Sequence, residues 1–280
     1  MYEYPYYSPA RIQEVLRRKE GGIRKRWGQN FLTDPNHARK IAEVILDVCG
    51  DPVAEIGPGL GVLTHHLLGA GRRVRAVEID PLLAEILAEE IAPAFPDFEL
   101  LRGDALELLT PAPPDIDSVC GNLPYYISTD LLRLAARHYR RAVFLCQKEF
   151  AERAAAKEAE SSLPVYLGVF GDWRVVASIP PGAFYPVPGV SSSLLVFQAR
   201  EEGARTDPLV LEKLLRMSFS AKRKKLRNSW KKSGRDDFSL EVLEAAAGEA
   251  GVDPELRPER VSLEAYYRMA DFLVGAGPGR

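Results

Sequence analysis

The 280-residue chain has only three cysteines, Cys49, Cys120 and Cys146, odd in number, widely separated and set in apolar surroundings. That pattern excludes a disulfide framework and gives no thiolate metal site, so all three read as core residues. The four histidines, His37, His65, His66 and His138, show no ligand spacing with other donors, and no metal is expected. No apolar run reaches membrane-spanning length, and the opening Met1-Tyr2-Glu3-Tyr4-Pro5-Tyr6-Tyr7 lacks the charged and apolar regions of a secretory leader. A cytoplasmic protein without a membrane partner is expected. Internal repeats and low-complexity tracts are missing as well. Net charge is small, −2 from 37 Lys and Arg against 39 Asp and Glu, which argues mildly against a general nucleic-acid binder.

Charge distribution says more than the total. Lys222-Arg223-Lys224-Lys225-Leu226-Arg227, continued by Lys231, Lys232 and Arg235, contains no acid, and Arg24-Lys25-Arg26 forms a second basic cluster. Solvated helix faces normally mix both signs, so these blocks point to phosphate contacts that position a polynucleotide.

Apolar periodicity alternates along the first two hundred residues. Strand-like runs at Val53, Val74, Leu100, Val119 and Val143 are separated by helical ones, among them Pro35 to Val48, the stretch from Leu60, and Pro81 to Ile91. This predicts an α/β fold with a mostly parallel sheet covered on both faces. Trp173 to Ile179 and Ser192 to Gln198 fit an antiparallel pair at its end. Pro9 to Lys19 reads as a helix capped by Ser8 and stopped by Gly21-Gly22, an N-terminal extension over residues 1–24. The main domain is expected over 25–200, a Gly- and Pro-containing linker over 201–208, and a small helical RNA-contacting domain over 209–280.

Two clusters carry the chemistry. Val53-Ala54-Glu55-Ile56 runs into Gly57, Gly59 and Gly61 at alternate positions before a helix, a strand–turn–helix that brings backbone N–H groups close to a ligand. The spacing differs from the G-x-G-x-x-G dinucleotide fingerprint, and an acid two residues before the first glycine is a feature of S-adenosylmethionine loops. The next strand ends in Glu78, placed as a ligand for ribose hydroxyls. A third ends at Gly103-Asp104, whose carboxylate is placed to accept from the cofactor's adenine amine. Downstream, Asn122-Leu123-Pro124-Tyr125 follows a buried strand and offers an amide oxygen, a backbone carbonyl and a flat ring on a turn restrained by proline. Such a set suits an exocyclic amine on a planar base: Asn122 and the Leu123 carbonyl accept its hydrogens, and Tyr125 stacks on the ring.

These residues resemble the bacterial small-subunit rRNA adenine N(6),N(6)-dimethyltransferases, the KsgA or RsmA group, related to the Erm resistance methylases and to the eukaryotic dimethyladenosine transferases. The likeness runs from about Lys25 to Asn228. Gly28-Gln29-Asn30-Phe31-Leu32 resembles the family's entry motif, which implies that Asn30 and Leu32 contact the cofactor. The glycine loop, Glu78, Asp104 and Asn122 follow in the family's order. Phe184-Tyr185-Pro186-Val187-Pro188-Gly189-Val190 resembles a family loop, which implies that Phe184 packs on the target base opposite Tyr125. The resemblance implies a Rossmann-like class I methyltransferase domain and S-adenosyl-L-methionine as cofactor. It also implies a monomer that dimethylates two adjacent adenosines near the 3′ end of small-subunit rRNA in an assembling subunit. Two places depart from the pattern: Ser161 to Leu167, and Gly189 and Ser191, where Lys and Asp are common. An Erm-like or DNA adenine methylase, and a ribosome-assembly or transcription factor that keeps the fold without catalysis, are the competing readings.

Overall fold

The computed structural model describes residues 2–19, 21–22, 29–124, 126–221, 223–233 and 237–276. Arg24, Lys25, Arg26, Gly28, Tyr125, Lys222 and Arg235 lie outside the described residues. The chain divides into two compact units, residues 1–151 with 174–198, and residues 152–173 with 199–280.

The first unit begins with α1 (Pro9–Arg18), β1 (Phe31–Leu32), α2 (Pro35–Val48), β2 (Val53–Ile56), α3 (Val62–Gly69), β3 (Val74–Glu78) and α4 (Pro81–Glu90). It continues with β4 (Phe98–Arg102), α5 (Ala105–Leu108), β5 (Ser118–Asn122), α6 (Ser128–His138), β6 (Arg141–Gln147) and most of α7 (Lys148–Ala154). Helix starts are written in the sequence. Asp34 and Asp80 each precede a proline, and their side chains accept from backbone N–H groups of the first turn. The aspartate satisfies donors that the helix cannot, while proline occupies a position that needs none. Losing such a cap costs about 1 kcal/mol. In α2 the buried residues Ala38, Ile41, Ala42 and Ile45 recur at helical spacing and form one face.

Strands β2 to β6 build the parallel part of a seven-stranded sheet ordered β4-β3-β2-β5-β6-β9-β7, with β7 (Gly171–Ile179) and β9 (Ser192–Ala199) completing it. β9 runs antiparallel to β6, with Phe144 opposite Leu195. β2 is buried at all four positions, as a strand covered on both faces must be. A separate two-stranded pair joins β1 to β8 (Phe184–Tyr185), with Leu32 opposite Phe184. From β2 the chain steps to β3 and β4 on one side, then returns to lay β5 and β6 on the other. The C-terminal ends of β2 and β5 therefore flank a topological switch point, where open α/β sheets bind ligands. Gly121 makes that pairing possible, because a Cβ there would overlap the Ile56 carbonyl oxygen.

The N-terminal helix is built into the first unit. Tyr4, Tyr6, Ile12, Val15 and Leu16 are buried in one cluster with Phe31, Leu60, Leu82, Leu83 and Ile86. Each fully buried aliphatic side chain of this kind contributes about 1.5–3 kcal/mol.

The second unit holds α8 (Ser162–Gly168), α9 (Pro208–Ser218), α10 (Leu226–Lys232), α11 (Leu240–Glu249) and α12 (Leu263–Ala276). Residues 152–173 belong here, ahead of the linker expected at 201–208. The reason is the burial of Leu163 to Leu167 against α9 and α12, with the Tyr267 hydroxyl donating to the Val165 carbonyl at 3.0 Å. The departure from the family pattern at Ser161 to Leu167 thus falls largely on packing residues. Cys49, Cys120 and Cys146 are all buried thiols. Among the described residues no cluster of metal ligands exists, and no helix is long and apolar enough to cross a membrane.

Candidate active site

A cleft opens at the switch point. Asn30, Leu32, Gly57, Gly59, Glu78, Asn122, Leu123, Pro124 and Phe184 all line it, so most residues singled out in the sequence converge on one place from five separate segments. Gly61 and Asp104 do not line it. Gly61 is the N-cap of α3, and Asp104 follows β4 and accepts from Leu106 N–H at 2.8 Å as the cap of α5.

Gly57, Gly59 and Gly61 have φ of 63°, 63° and 83°, a left-handed zigzag that only glycine adopts without strain. It turns the chain sharply from β2 into α3 and leaves the loop without side chains. Gly59 N–H points at Glu78, donating to Oε2 at 3.0 Å, while Asp80 N–H donates to Oε1 at 2.8 Å. Glu78 therefore bridges the glycine loop and the start of α4. It is 4% exposed, and burial lifts its carboxyl to about 7 against these two hydrogen bonds. Beside it, Glu55 is also buried, accepts from the Thr64 hydroxyl at 2.6 Å and is likewise raised to about 7 by burial. Two acids this poorly solvated in one cleft suit a ligand that brings hydroxyl donors or positive charge.

On the other wall, Asn122 ends β5, and its side-chain Nδ2 donates to the Asn30 carbonyl at 3.1 Å. Leu123 N–H donates to the Leu145 carbonyl at 2.8 Å, and the Pro124 carbonyl accepts from the Ser128 hydroxyl at 2.8 Å. The turn is thus tied to β6 on one side and to α6 on the other. Phe184, 3% exposed, is held by the β1–β8 pairing, which carries Asn30 and Leu32 along the same edge. Tyr126 also lines the cleft and is 57% exposed.

The lining also includes residues that the sequence motifs do not single out as ligands, among them Tyr4, Ile79 and Tyr126. Ile79 and Tyr126 adjoin Glu78 and Tyr125 and were findable by adjacency. Tyr4 lies far away in sequence, and no local signal marks it.

The basic block lies in the second unit. Arg223, Lys224, Lys225 and Arg227 are exposed. Lys225 pairs with Glu255 at 2.7 Å and Arg227 with Glu244 at 2.6 Å, so two of the four already face acids.

A model of the family described as ribosomal RNA adenine dimethylase matches residues 21–274. The ribosomal RNA small subunit methyltransferase A of Deinococcus radiodurans is 36% identical over 274 residues, covering 96% of this chain and 92% of its own length. Its namesake from Pseudomonas putida is 38% identical over 263 residues, covering 90% and 95%. Among solved structures, the 23S rRNA methyltransferase ErmE superposes with a TM-score of 0.66 at 27% identity, covering 87% of this chain and 99% of that one. A dimethyladenosine transferase from Plasmodium falciparum superposes at 0.68 with 24% identity, covering 85% and 95%, and supports the fold alone. A match spanning both compact units, with relatives above one-third identity over nearly their full length, settles the relationship: the chain belongs to the ribosomal RNA adenine dimethylase family.

Proposed function

We propose that this chain moves methyl groups from S-adenosyl-L-methionine to the 6-amino groups of two adjacent adenosines near the 3′ end of small-subunit rRNA, twice on each, as the subunit matures. The observation that carries this reading is that two kinds of machinery share one cleft. A glycine loop with the buried acid Glu78 forms one wall, and the Asn122-Leu123-Pro124 turn with Phe184 forms the other.

The donor set fits the cofactor. Glu78 ends the strand after the glycine loop, where its carboxylate suits vicinal ribose hydroxyls, and Asn30 and Leu32 border the same space. When bound, the cofactor supplies an electrophilic methyl group on a sulfonium. The chain's part is to prepare the nucleophile. The lone pair of an adenine 6-amino group is delocalised into the ring. Asn122 gives its nitrogen to the Asn30 carbonyl, so its oxygen is the atom presented to an amine. Acceptance of one amine hydrogen by that oxygen, and of the other by the Leu123 carbonyl, localises the lone pair and stabilises the positive charge that grows on nitrogen. No strong base is needed, because the methylated nitrogen is acidic and releases its proton to water. Phe184, which lines the cleft, supplies an apolar face for the base.

The curated relatives are named for the small subunit and are more similar to this chain than ErmE is, which favours a small-subunit substrate over an Erm-like one. The test is to map dimethylated adenosines by primer extension on rRNA from cells with and without the gene. Loss of two adjacent stops near the 3′ end of small-subunit rRNA, restored by the wild-type gene, is the expected outcome. Unchanged stops in the deleted strain contradict the reading.

A further inference from the structure

Residues 2–19 lie ahead of the segment that the family model matches, yet they reach the cleft. Tyr4 lines it and is 6% exposed. Its ring stacks on His65 with centroids 5.5 Å apart and planes 20° from parallel, and meets the edge of Tyr7 at 4.9 Å. His65 neighbours Thr64, the residue that holds Glu55. Tyr4 therefore stands at the Glu55 end of the cleft, where β2 passes into α3.

The segment that carries Tyr4 is clamped at several points. The Tyr7 hydroxyl bonds His66 Nε2 at 2.9 Å, and the Tyr6 hydroxyl and Arg18 both reach Glu90. Lys19 spans Glu85 and Glu89 at 2.8 and 2.7 Å. His66 sits on α3, the helix that follows the glycine loop, while Glu85, Glu89 and Glu90 sit on α4, the helix that follows Glu78. Gln13 bonds the Tyr185 hydroxyl, one residue from Phe184. One strap thus joins the supports of three parts of the site, and the ring it inserts among them is Tyr4. Single exposed ion pairs are weak, but those of Arg18 and Lys19 at the C-terminal end of α1, backed by the buried face of Ile12, Val15 and Leu16, hold the strap in register.

We infer that Tyr4 is a cofactor-positioning residue: its ring walls the Glu55 end of the cleft and packs on S-adenosyl-L-methionine. This rests on the proposed function, since it assumes that cofactor. A tyrosine ring is rigid and costs little entropy to order, so an apolar wall of this kind stabilises a bound small molecule by contact area and by excluding water from the buried Glu55 carboxylate. The ring and not the hydroxyl performs the role.

The test is calorimetric titration of the full-length protein with S-adenosylmethionine and with S-adenosylhomocysteine, for wild type, Tyr4→Phe and Tyr4→Ala, each checked for folding by thermal melting. Tyr4→Ala is expected to weaken both ligands about tenfold, the scale of removing one aromatic ring from a binding wall. Tyr4→Phe should bind as wild type does. In methyl transfer, KM for the cofactor should rise in Tyr4→Ala while kcat at saturation stays within about twofold, the signature of weakened uniform binding. Should Tyr4→Ala fail to fold, Tyr4→Leu keeps the burial without the ring and is expected to show the same weakening. A folded Tyr4→Ala or Tyr4→Leu protein that binds both ligands as tightly as wild type overturns the role of Tyr4 alone. Wild-type protein that binds neither ligand overturns the proposed function and this inference with it.

Discussion

The side-chain nitrogen of Asn122 donates to the main-chain carbonyl of Asn30 at 3.1 Å, joining residues 92 positions apart. This bond fixes which end of the amide is turned to Asn30 and which is the end that the proposed reaction offers to an incoming amine. A carbonyl can only accept, so the nitrogen must be the atom turned toward Asn30, and the oxygen is left for chemistry.

Replacing Asn122 separates chemistry from binding. Asn122→Ala removes a group whose interaction strengthens toward the transition state, and single-turnover methyl transfer at saturating cofactor and RNA should fall on the order of a hundredfold or more. RNA affinity should change little. Asn122→Asp keeps the size but sets a carboxylate oxygen against the Asn30 carbonyl, so it should be no better than alanine. Near wild-type transfer in either folded variant would remove Asn122 from the reaction.

Glu78→Ala should weaken S-adenosylmethionine by roughly 1.5–3 kcal/mol, the usual loss when a charged acceptor is removed. Calorimetry measures it directly. The variant also removes the acceptor for Gly59 and Asp80 N–H, so Glu78→Gln, which retains an oxygen, should lose less.

The buried acids predict a pH dependence of the ligand-free protein. Glu55 titrates near 7 in the folded chain against an ordinary value of 4.5, chiefly because it is buried, with the Thr64 hydrogen bond opposing the shift. Between those values the folded form keeps a proton that the unfolded chain has released. Its contribution therefore favours folding at the acidic side and is lost as pH rises through that window. Glu55→Gln cannot titrate, so its melting temperature should fall less than that of wild type between about pH 5 and pH 8. The cost removed is on the order of 2–3 kcal/mol. Glu78 acts in the same direction and keeps part of the slope in the variant. Parallel melting curves for the two proteins would show that Glu55 titrates normally.

The basic block should not act uniformly in RNA binding. Arg223→Ser and Lys224→Ser are each expected to lower the magnitude of the log–log salt slope by about 0.7–0.9 for every phosphate that is no longer neutralised. Lys225 faces Glu255, and its replacement should change the slope less, since that acid already neutralises it. Filter binding of small-subunit rRNA across a salt series gives the slopes. Identical losses at all three positions would show that Glu255 does not hold Lys225 back from phosphate, and no effect at any of them would return the block to a solvated face.

The architecture was legible where local chemistry repeats. Asp-Pro at 34–35 and 80–81 marks helix starts, apolar runs mark buried strands, and Glu55-x-Gly57-x-Gly59-x-Gly61 marks the loop. The convergence of Asn30, Glu78, Asn122 and Phe184 was legible only as a family order, because their meeting depends on strand order, which periodicity does not encode. Three features were beyond reach. Residues 152–173 read as part of the first domain, since nothing local distinguishes a helix that packs on partners fifty or a hundred residues later. The pairing of Lys225 and Arg227 with Glu255 and Glu244 joins charges distant in sequence, so the block looked unopposed. Tyr4 appeared as one of four tyrosines in an extension, and its place in the cleft follows from α1 docking on α4.

Methyl transfer itself is the most direct test of the proposed function. Purified protein incubated with labelled S-adenosylmethionine and small ribosomal subunits from the deleted strain should place label in N(6),N(6)-dimethyladenosine, recovered by nucleoside chromatography. The label should come from two adjacent positions near the 3′ end of the rRNA, with the Asn122→Ala protein nearly inactive under the same conditions. Absence of label in small-subunit rRNA with wild-type protein, or label only at positions far from its 3′ end, would contradict the proposed function.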